Sequence, residues 1–127
     1  MNLLLSIKPR YVESIMSGKK RYEFRKTIFR NRNIKRAYIY STAPVKKIGG
    51  SFLIGDIVED YPDRLWDRFH KLSGLSHEEF FNYFIEGKKG FAIQIESVEE
   101  FDTPIDPWEL NSDFSPPQSF YYFENIY

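Results

Sequence analysis

The stretch Ser-Gly-Lys-Lys-Arg-Tyr-Glu-Phe-Arg-Lys, residues 17–26, decides how the first part of this chain folds. Gly18 is typical of the residue that ends a helix, because glycine readily adopts the left-handed backbone conformation found there. Residues 21–28 alternate in character, as expected for a β-strand. The stretch therefore predicts a helix that ends at Gly18 and turns directly into a strand.

The charged side chains of this predicted strand form a pattern that suits anion binding. Side chains alternate between the two faces of a strand, so Glu23 and Arg25 share a face, and Arg21 joins them. Lys20 has the opposite parity, unless it lies in the turn, where its side chain is free to point in another direction. Arginine suits two-point contact with phosphate, and lysine acts as a mobile point charge. Either Glu23 holds these cations ready for an anion, or the group is an exposed ion-pair ladder of little energetic value.

The rest of the chain predicts strands and helices in a mixed order. Strands are predicted at residues 2–7, 36–41, 50–59, 90–98 and 119–123, and helices at residues 9–18, 62–71 and 77–85. Residues 101–110 are predicted to be a loop, and Gly55 to mark a bulge or bend. This pattern, without a βαβ rhythm, favours a small α+β mixed barrel, although an open sheet would show the same periodicity.

Composition limits the classes of protein to which the chain can belong. Its 127 residues fit a single domain, residues 1–127. It has no cysteine, which excludes disulfides and thiolate zinc sites and favours a cytoplasmic location. The opening apolar run is too short for a signal sequence or a membrane span, so no membrane partner is expected. The two histidines, His70 and His77, have no metal-ligand spacing, and we expect neither a metal nor another cofactor.

Charge is segregated along the chain although the formal net charge is zero. Residues 1–50 hold 13 lysines or arginines and two acids, whereas residues 51–127 hold five lysines or arginines and 16 acids. One interpretation is a dipolar molecule with an anion-attracting face. The alternative is that the two halves pair their charges in the folded protein. A basic patch, rather than a basic total, marks a nucleic-acid-binding protein, so neutrality does not exclude one.

Residues 18–25 contain a signature motif that resembles that of a known family. Gly18-x-Lys20-x-x-Glu23-x-Arg25 is similar to the G-x-K-x-x-E-x-R motif of the ASCH domain, a relative of PUA domains. Segments at residues 4–9, 81–84, 90–93 and 117–120 resemble further parts of that domain in the same order, so the likeness covers nearly the whole chain. It implies a small PUA-like mixed β-barrel of about five to six strands with flanking helices, and a cleft lined by the signature residues.

The same resemblance implies a function that involves RNA or a nucleotide-like ligand, in transcription-linked or translation-linked regulation. Some members of the family are enzymes, either ribonucleases or an amidohydrolase that removes acetyl from N4-acetylcytidine. The amidohydrolase has a nucleophilic threonine three residues after the signature lysine, where this chain has Glu23, and a carboxylate cannot serve as that hydroxyl. If this protein is an enzyme, Lys20 and Glu23 are the candidate catalytic residues.

Ligand-binding candidates outside the signature lie at the ends of predicted strands. Lys8 follows the first strand at a helix N-terminus, where free backbone N–H groups favour an anion. Ser41 and Thr42 end the strand at residues 36–41, and they either hydrogen-bond a base or phosphate or are plain turn residues.

Two further groups of residues also have two interpretations each. Tyr38 and Tyr40 either stack on a base or belong to the core. A run of basic residues is either a patch that contacts a nucleic-acid backbone or a solvated surface; its members are Arg30, Arg32, Lys35 and Arg36.

Overall fold

The computed structural model describes residues 1–124, which form strands and helices in a mixed order. The strands are β1 (Asn2–Ile7), β2 (Tyr22–Arg25), β3 (Arg36–Ser41), β4 (Lys47–Asp60), β5 (Gly90–Ile105) and β6 (Phe120–Phe123). The helices are α1 (Pro9–Met16), α2 (Pro62–Phe69), α3 (His77–Tyr83) and α4 (Pro107–Leu110), and a 3₁₀ turn (His70–Leu72) follows α2. None of the helices in this part of the chain is long and apolar enough to cross a bilayer.

The six strands form one sheet in the order β2-β5-β4-β3-β1-β6. β1 and β3 are parallel, and the other neighbouring strands are antiparallel. The β4–β5 pairing shifts register around Gly55, and such bulges bend a strand and increase its twist. The sheet curls into a half-barrel with β2 and β6 at its edges. The predicted α+β class and the irregularity at Gly55 are confirmed.

The helices begin where local sequence signals predict, but α1, α2 and α3 end earlier than predicted, at Met16, Phe69 and Tyr83. Pro9 and Pro62 lie at the starts of α1 and α2, where a missing N–H costs nothing. Gly18 follows α1 in the left-handed conformation, with φ of 82°. Ser76 caps α3 in a reciprocal capping box with Glu79. These signals fix the positions at which the chain enters and leaves the sheet.

The core consists of three apolar clusters, one of which contains residues of β2. Alternate residues of β1 point to opposite faces, so Leu3 and Leu5 join the largest cluster, whereas Leu4 joins a second cluster with Tyr40. A third cluster attaches α2 and α3 to β2 and β5; its buried members are Phe24, Leu65, Phe80, Phe84 and Ala92. The strand that carries the signature residues is therefore held against α3.

The structure corrects several predicted elements, and the largest changes concern β5 and β2. Residues 101–110 were predicted to be a loop, but β5 continues to Ile105, which pairs with Ile48 at the other end of β4. Residues 107–110 then form α4, capped by the side chain of Asp106. β2 ends at Arg25 instead of continuing to residue 28, and the N–H of Lys26 donates to the hydroxyl of Tyr83 rather than to a strand.

Candidate functional site

A cavity of about 760 Å³ lies between the two edges of the half-barrel. Its walls come from the end of β1, the start of α1, the turn before β2, β2 itself, α3 and the segment before β6. This volume is within the usual range for sites that hold small ligands. The cavity therefore gathers residues that are far apart in the sequence.

Lys20 is buried in the wall of this cavity, with its side chain only 1% exposed. Its Nζ donates a hydrogen bond to the carbonyl oxygen of Ser73 at 2.8 Å and lies 3.4 Å from Oε1 of Glu23. It also lies 5.2 Å from the ring centroid of Phe24. Burial lowers the pKa of the Lys20 ammonium, and the nearby Glu23 carboxylate offsets only part of this effect. Lys20 therefore lies in the turn before β2 and shares a wall of the cavity with Glu23, although its parity along the predicted strand is opposite.

A distant segment, residues 72–75, holds the Lys20 side chain in place. The backbone N–H of Arg21 donates to the carbonyl of Leu72 at 2.7 Å, and Lys20 itself donates to Ser73. Gly74 has φ of 68°, and a Cβ atom there would lie 2.8 Å from Cβ of Lys20. The segment therefore forms a tight support for Lys20, which no local sequence signal predicted.

Arg25 uses its five N–H donors for hydrogen bonds within the protein. Nε and Nη2 donate to Oε2 of Glu23 at 3.1 and 2.6 Å. Nη2 also donates to the carbonyl of Ser6 at 3.1 Å, and Nη1 donates to Oγ and the carbonyl of Ser119 at 3.0 and 3.4 Å. Ser6 lies in β1 and Ser119 just before β6, so this guanidinium connects β2 to the opposite edge of the half-barrel. An anion could bind Arg25 only by displacing one of these partners.

Glu23 is buried between the two cations. Burial alone would raise the pKa of its carboxyl group, but the charges and hydrogen bonds of Arg25 and Lys20 lower the pKa, and the net shift is downward. The carboxylate therefore stays ionised and neutralises positive charge inside the wall.

A second group of polar side chains joins α1 to α3. The hydroxyl of Tyr11 donates to Oε2 of Glu79 at 2.8 Å, and Nη2 of Arg10 donates to the same hydroxyl at 2.7 Å. Arg10 also forms a 2.9 Å ion pair with Glu79. The backbone hydrogen bond from Ser76, followed by the bond from Tyr11, lowers the pKa of Glu79 from 4.5 to about 2. These contacts fix the orientation of the Tyr11 hydroxyl.

Exposed cations surround the mouth of the cavity. Lys8, Arg10 and Lys26 are exposed and line it, and Nζ of Lys26 lies 4.8 Å from the ring centroid of Tyr83. The lining contains five lysines or arginines and two glutamates. The mouth is therefore positively charged, as an anion-binding site requires.

Comparison with known proteins finds a relative that matches most of the chain. An ASCH domain-containing ribonuclease from Zymomonas mobilis subsp. mobilis is 32% identical over 122 residues, which are 91% of this chain and 80% of the relative. The crystal structure of ASCH from Zymomonas mobilis is 30% identical and has a TM-score of 0.88, covering 97% of this chain and 87% of that one. A variant of that protein with one serine replaced by alanine is 29% identical with a TM-score of 0.89, covering 98% and 89%. No family model matches the chain.

The chain belongs to the ASCH domain family. Four of the six ligand-binding residues predicted in this ASCH domain line its cavity, namely Lys8, Lys20, Glu23 and Arg25. Among residues 1–124, histidines and carboxylates form no group of three or more that could hold a metal ion.

The structure does not place Ser41 and Thr42 in the lining of the ASCH cavity. Ser41 is buried and is paired with Ile7 in the parallel β1–β3 ladder, and the N–H of Thr42 donates to the carbonyl of Ile7 at 3.1 Å. Both residues therefore hold the end of β3 against β1. Arg21 is exposed and does not share a wall with Glu23, because β2 begins only at Tyr22.

Aromatic residues on β3 also lie outside the lining of the ASCH cavity. Tyr40 is buried against Trp108 and Phe114, and Tyr38 packs against Phe101 and Phe123. Of the two interpretations offered for these tyrosines, the structure supports the core.

Several residues that line the cavity were not among the predicted site residues. They include Tyr11, Asn82, Tyr83 and Ser119. Tyr11 lies in α1, and no sequence signal marked it as a site residue. The other three lie in segments that resemble the ASCH domain, residues 81–84 and 117–120, so the family likeness was the one available signal for them.

Proposed function

We propose that this ASCH domain binds single-stranded RNA, with one nucleotide in the cavity and the adjoining phosphates at its cationic mouth. The observation that carries the proposal is the excess of cations over carboxylates in the lining. Glu23 is neutralised by Lys20 and Arg25, and Glu79 is paired with Arg10. Lys8 and Lys26 are then available at the mouth for phosphate contacts, which dominate the affinity of proteins for nucleic acids.

RNA is the ligand class that the comparisons favour, because the relative from Zymomonas mobilis is a ribonuclease. Two groups in the lining suit contact with a base. Tyr83 is 38% exposed as a residue and lines the cavity, and Asn82 carries an amide that both donates and accepts hydrogen bonds. Single-stranded RNA is read by such stacking and edge contacts. A cytoplasmic location, favoured by the lack of cysteine, belongs to the same proposal.

Binding of a fluorescent uridine hexanucleotide to wild type, the mouth variant Lys8→Met/Lys26→Met and the control variant Lys19→Met/Lys71→Met tests this proposal. Lys19 and Lys71 are exposed and do not line the cavity, so they match the mouth lysines in charge and exposure. We expect the mouth variant to bind about tenfold or more weakly than wild type, and the control variant to bind like wild type. Binding should also weaken as salt rises from about 50 to 200 mM. No binding of wild type at low salt, or equal effects in the two variants, would reject the proposal.

Cleavage of the bound RNA is the second candidate function. Lys20 has a lowered pKa and lies in the same wall as the oriented hydroxyl of Tyr11. In metal-independent cleavage, the RNA 2′-hydroxyl attacks the adjacent phosphorus and releases its proton to solvent water. The bond from phosphorus to the 5′-oxygen breaks and that oxygen takes up a proton, which yields a 2′,3′-cyclic phosphate and a 5′-hydroxyl. In this candidate function Lys20 stabilises charge on the phosphate, and Tyr11 turns its hydroxyl proton from Glu79 to the leaving oxygen.

A chimeric oligonucleotide with a single ribonucleotide among deoxyribonucleotides tests cleavage. We expect cutting only after the ribonucleotide, loss of cutting in Tyr11→Phe, and retained binding by that variant, because a proton donor acts in the reaction rather than in binding. Equal cutting by wild type, Tyr11→Phe and Lys20→Met would assign the activity to a contaminant and remove this candidate. Binding without any cutting would leave the first function alone.

A further inference from the structure

The loop between β2 and β3 carries cations that the cavity does not use. The loop spans residues 26–35 and begins at Lys26, which lines the cavity mouth. Three more of its cations, Arg30, Arg32 and Lys35, are exposed. Within residues 1–124, no carboxylate lies within 4.0 Å of these three side chains to form an ion pair. The loop therefore presents a row of free positive charge that starts at the cavity.

Buried anchors hold this loop in a defined conformation. Phe29 is 2% and Ile34 5% exposed, and both belong to the largest apolar cluster. The hydroxyl of Tyr122 accepts hydrogen bonds from the backbone N–H groups of Arg30 and Asn31 at 3.0 and 3.3 Å. A ligand that contacts the loop would not have to order it first, which lowers the entropic cost of binding.

An aromatic residue lies beside the backbone of this loop at Arg30 and Asn31. Tyr122 on β6 is 37% exposed while its hydroxyl holds the backbone of the loop. Lys26 and Arg30 are four residues apart and so are separated by at most about 14 Å of chain. Exposed rings next to unpaired cations are the combination by which proteins bind single-stranded nucleic acid without strong sequence preference.

We propose that this loop extends the cavity into a track for single-stranded RNA. Arg30, Arg32 and Lys35 contact successive phosphates outside the cavity, and the ring of Tyr122 stacks on a base. This inference rests on the proposed binding of RNA in the cavity, and it adds the path that the RNA chain follows outside the cavity.

The test compares a uridine dinucleotide, which fits the cavity region alone, with a uridine hexanucleotide. Three proteins are used: wild type, the loop variant Arg30→Ala/Arg32→Ala/Lys35→Ala, and the matched control Arg68→Ala/Lys71→Ala/Lys88→Ala. The control cations are exposed, but they lie neither on the loop nor in the cavity lining. Affinity is measured by fluorescence anisotropy at several salt concentrations.

We expect the loop variant to lose about tenfold or more in hexanucleotide affinity and to show a salt slope smaller by about two, since each phosphate contact contributes about 0.7. Its dinucleotide affinity should equal that of wild type, and the control variant should resemble wild type with both ligands. The track would be overturned if the loop variant lost the same affinity for the dinucleotide as for the hexanucleotide, or if it lost no affinity for either. It would also be overturned if the loop variant and the control variant lost the same affinity for the hexanucleotide. Failure of wild type to bind either oligonucleotide would overturn the cavity proposal as well.

Two substitutions at Tyr122 separate stacking from charge. Tyr122→Phe keeps the ring and removes the hydroxyl that holds the loop, whereas Tyr122→Ala removes both. We expect Tyr122→Ala to bind the hexanucleotide about fivefold or more weakly than Tyr122→Phe, because loss of one stacked base has an effect of this size. Equal affinities of these two variants would contradict a stacking role.

Discussion

A buried carboxylate between two cations is the residue-scale feature on which the cavity wall depends. Glu23 has one oxygen near Lys20 and the other bonded to Arg25. Charges removed from water are tolerated only when each is paired and hydrogen-bonded. Arg25 further connects Glu23 to Ser6 and Ser119, so the pair also determines how far apart the edges of the half-barrel lie.

Removal of Arg25 should therefore destabilise the protein strongly. We expect Arg25→Met to lower the free energy of unfolding by about 3 kcal/mol or more, because it leaves Glu23 buried with Lys20 alone. The exposed neighbour provides the control, since Lys26→Met should change this free energy by less than about 0.5 kcal/mol. Urea denaturation measures both values. A loss below about 1 kcal/mol for Arg25→Met would contradict the structural role of this guanidinium.

Glu79 should make stability depend on pH in the acidic range. Its pKa is lowered from 4.5 to about 2, so its contribution is present above pH 4.5 and is lost as the pH falls towards 2. We expect Glu79→Gln to be less stable than wild type at pH 7, with a difference that shrinks between pH 4.5 and pH 2. Urea denaturation across this range checks the expectation. A difference that does not vary with pH would contradict it.

At the scale of elements, the segment at residues 72–75 positions the signature lysine. Gly74→Ala would bring a Cβ atom within 2.8 Å of Lys20 in a backbone with φ of 68°. Gly87 has a similar φ of 78° but open space around it, so Gly87→Ala is a matched control for backbone strain alone.

We expect Gly87→Ala to lower the free energy of unfolding by about 1 kcal/mol and Gly74→Ala to lower it by clearly more, because only Gly74→Ala displaces Lys20. Affinity for the uridine hexanucleotide should fall in Gly74→Ala and remain unchanged in Gly87→Ala. Urea denaturation and anisotropy measure the two effects. If both variants lost the same free energy of unfolding and Gly74→Ala bound the hexanucleotide like wild type, residues 72–75 would not position Lys20.

Element boundaries were predictable where local pattern decides them. β1 and β3 have the predicted bounds, and α3 begins at its predicted capping box. β5 is longer than predicted because it pairs with the far end of β4, and sequence periodicity does not encode such distant partners. The same limit applies to the site. The inward direction of Lys20 depends on Ser73, 53 residues away, and the position of Arg25 on Ser119, 94 residues away.

At the scale of the whole molecule, the two oppositely charged halves of the sequence form few ion pairs with each other. Within residues 1–124, two of the five ion pairs join a residue before position 51 to one after it: Arg10 with Glu79, and Arg36 with Glu99. The other three pairs lie within a half. Close ion pairs between the two halves therefore account for little of the charge in either half.

We propose that the chain unfolds as one cooperative domain, as its length predicts. The two tryptophans report on different clusters, Trp66 on that of α2 and α3, and Trp108 on that of Tyr40. We expect Trp66→Phe and Trp108→Phe each to show coincident urea transitions by fluorescence and by far-ultraviolet circular dichroism. Transitions at different urea concentrations for the two probes of one variant would indicate separate folding units.

The most direct test of an RNA site in the cavity is an NMR titration of the ¹⁵N-labelled protein with a non-cleavable 2′-O-methyl uridine dinucleotide. We expect the largest amide shift changes at Lys8, Lys20 and Ser119, which line the cavity. A second hollow of about 330 Å³, lined by Leu110 and Asn111 among others, provides an internal control and should be unaffected. Shift changes confined to that second hollow, or none at saturating dinucleotide, would contradict the account.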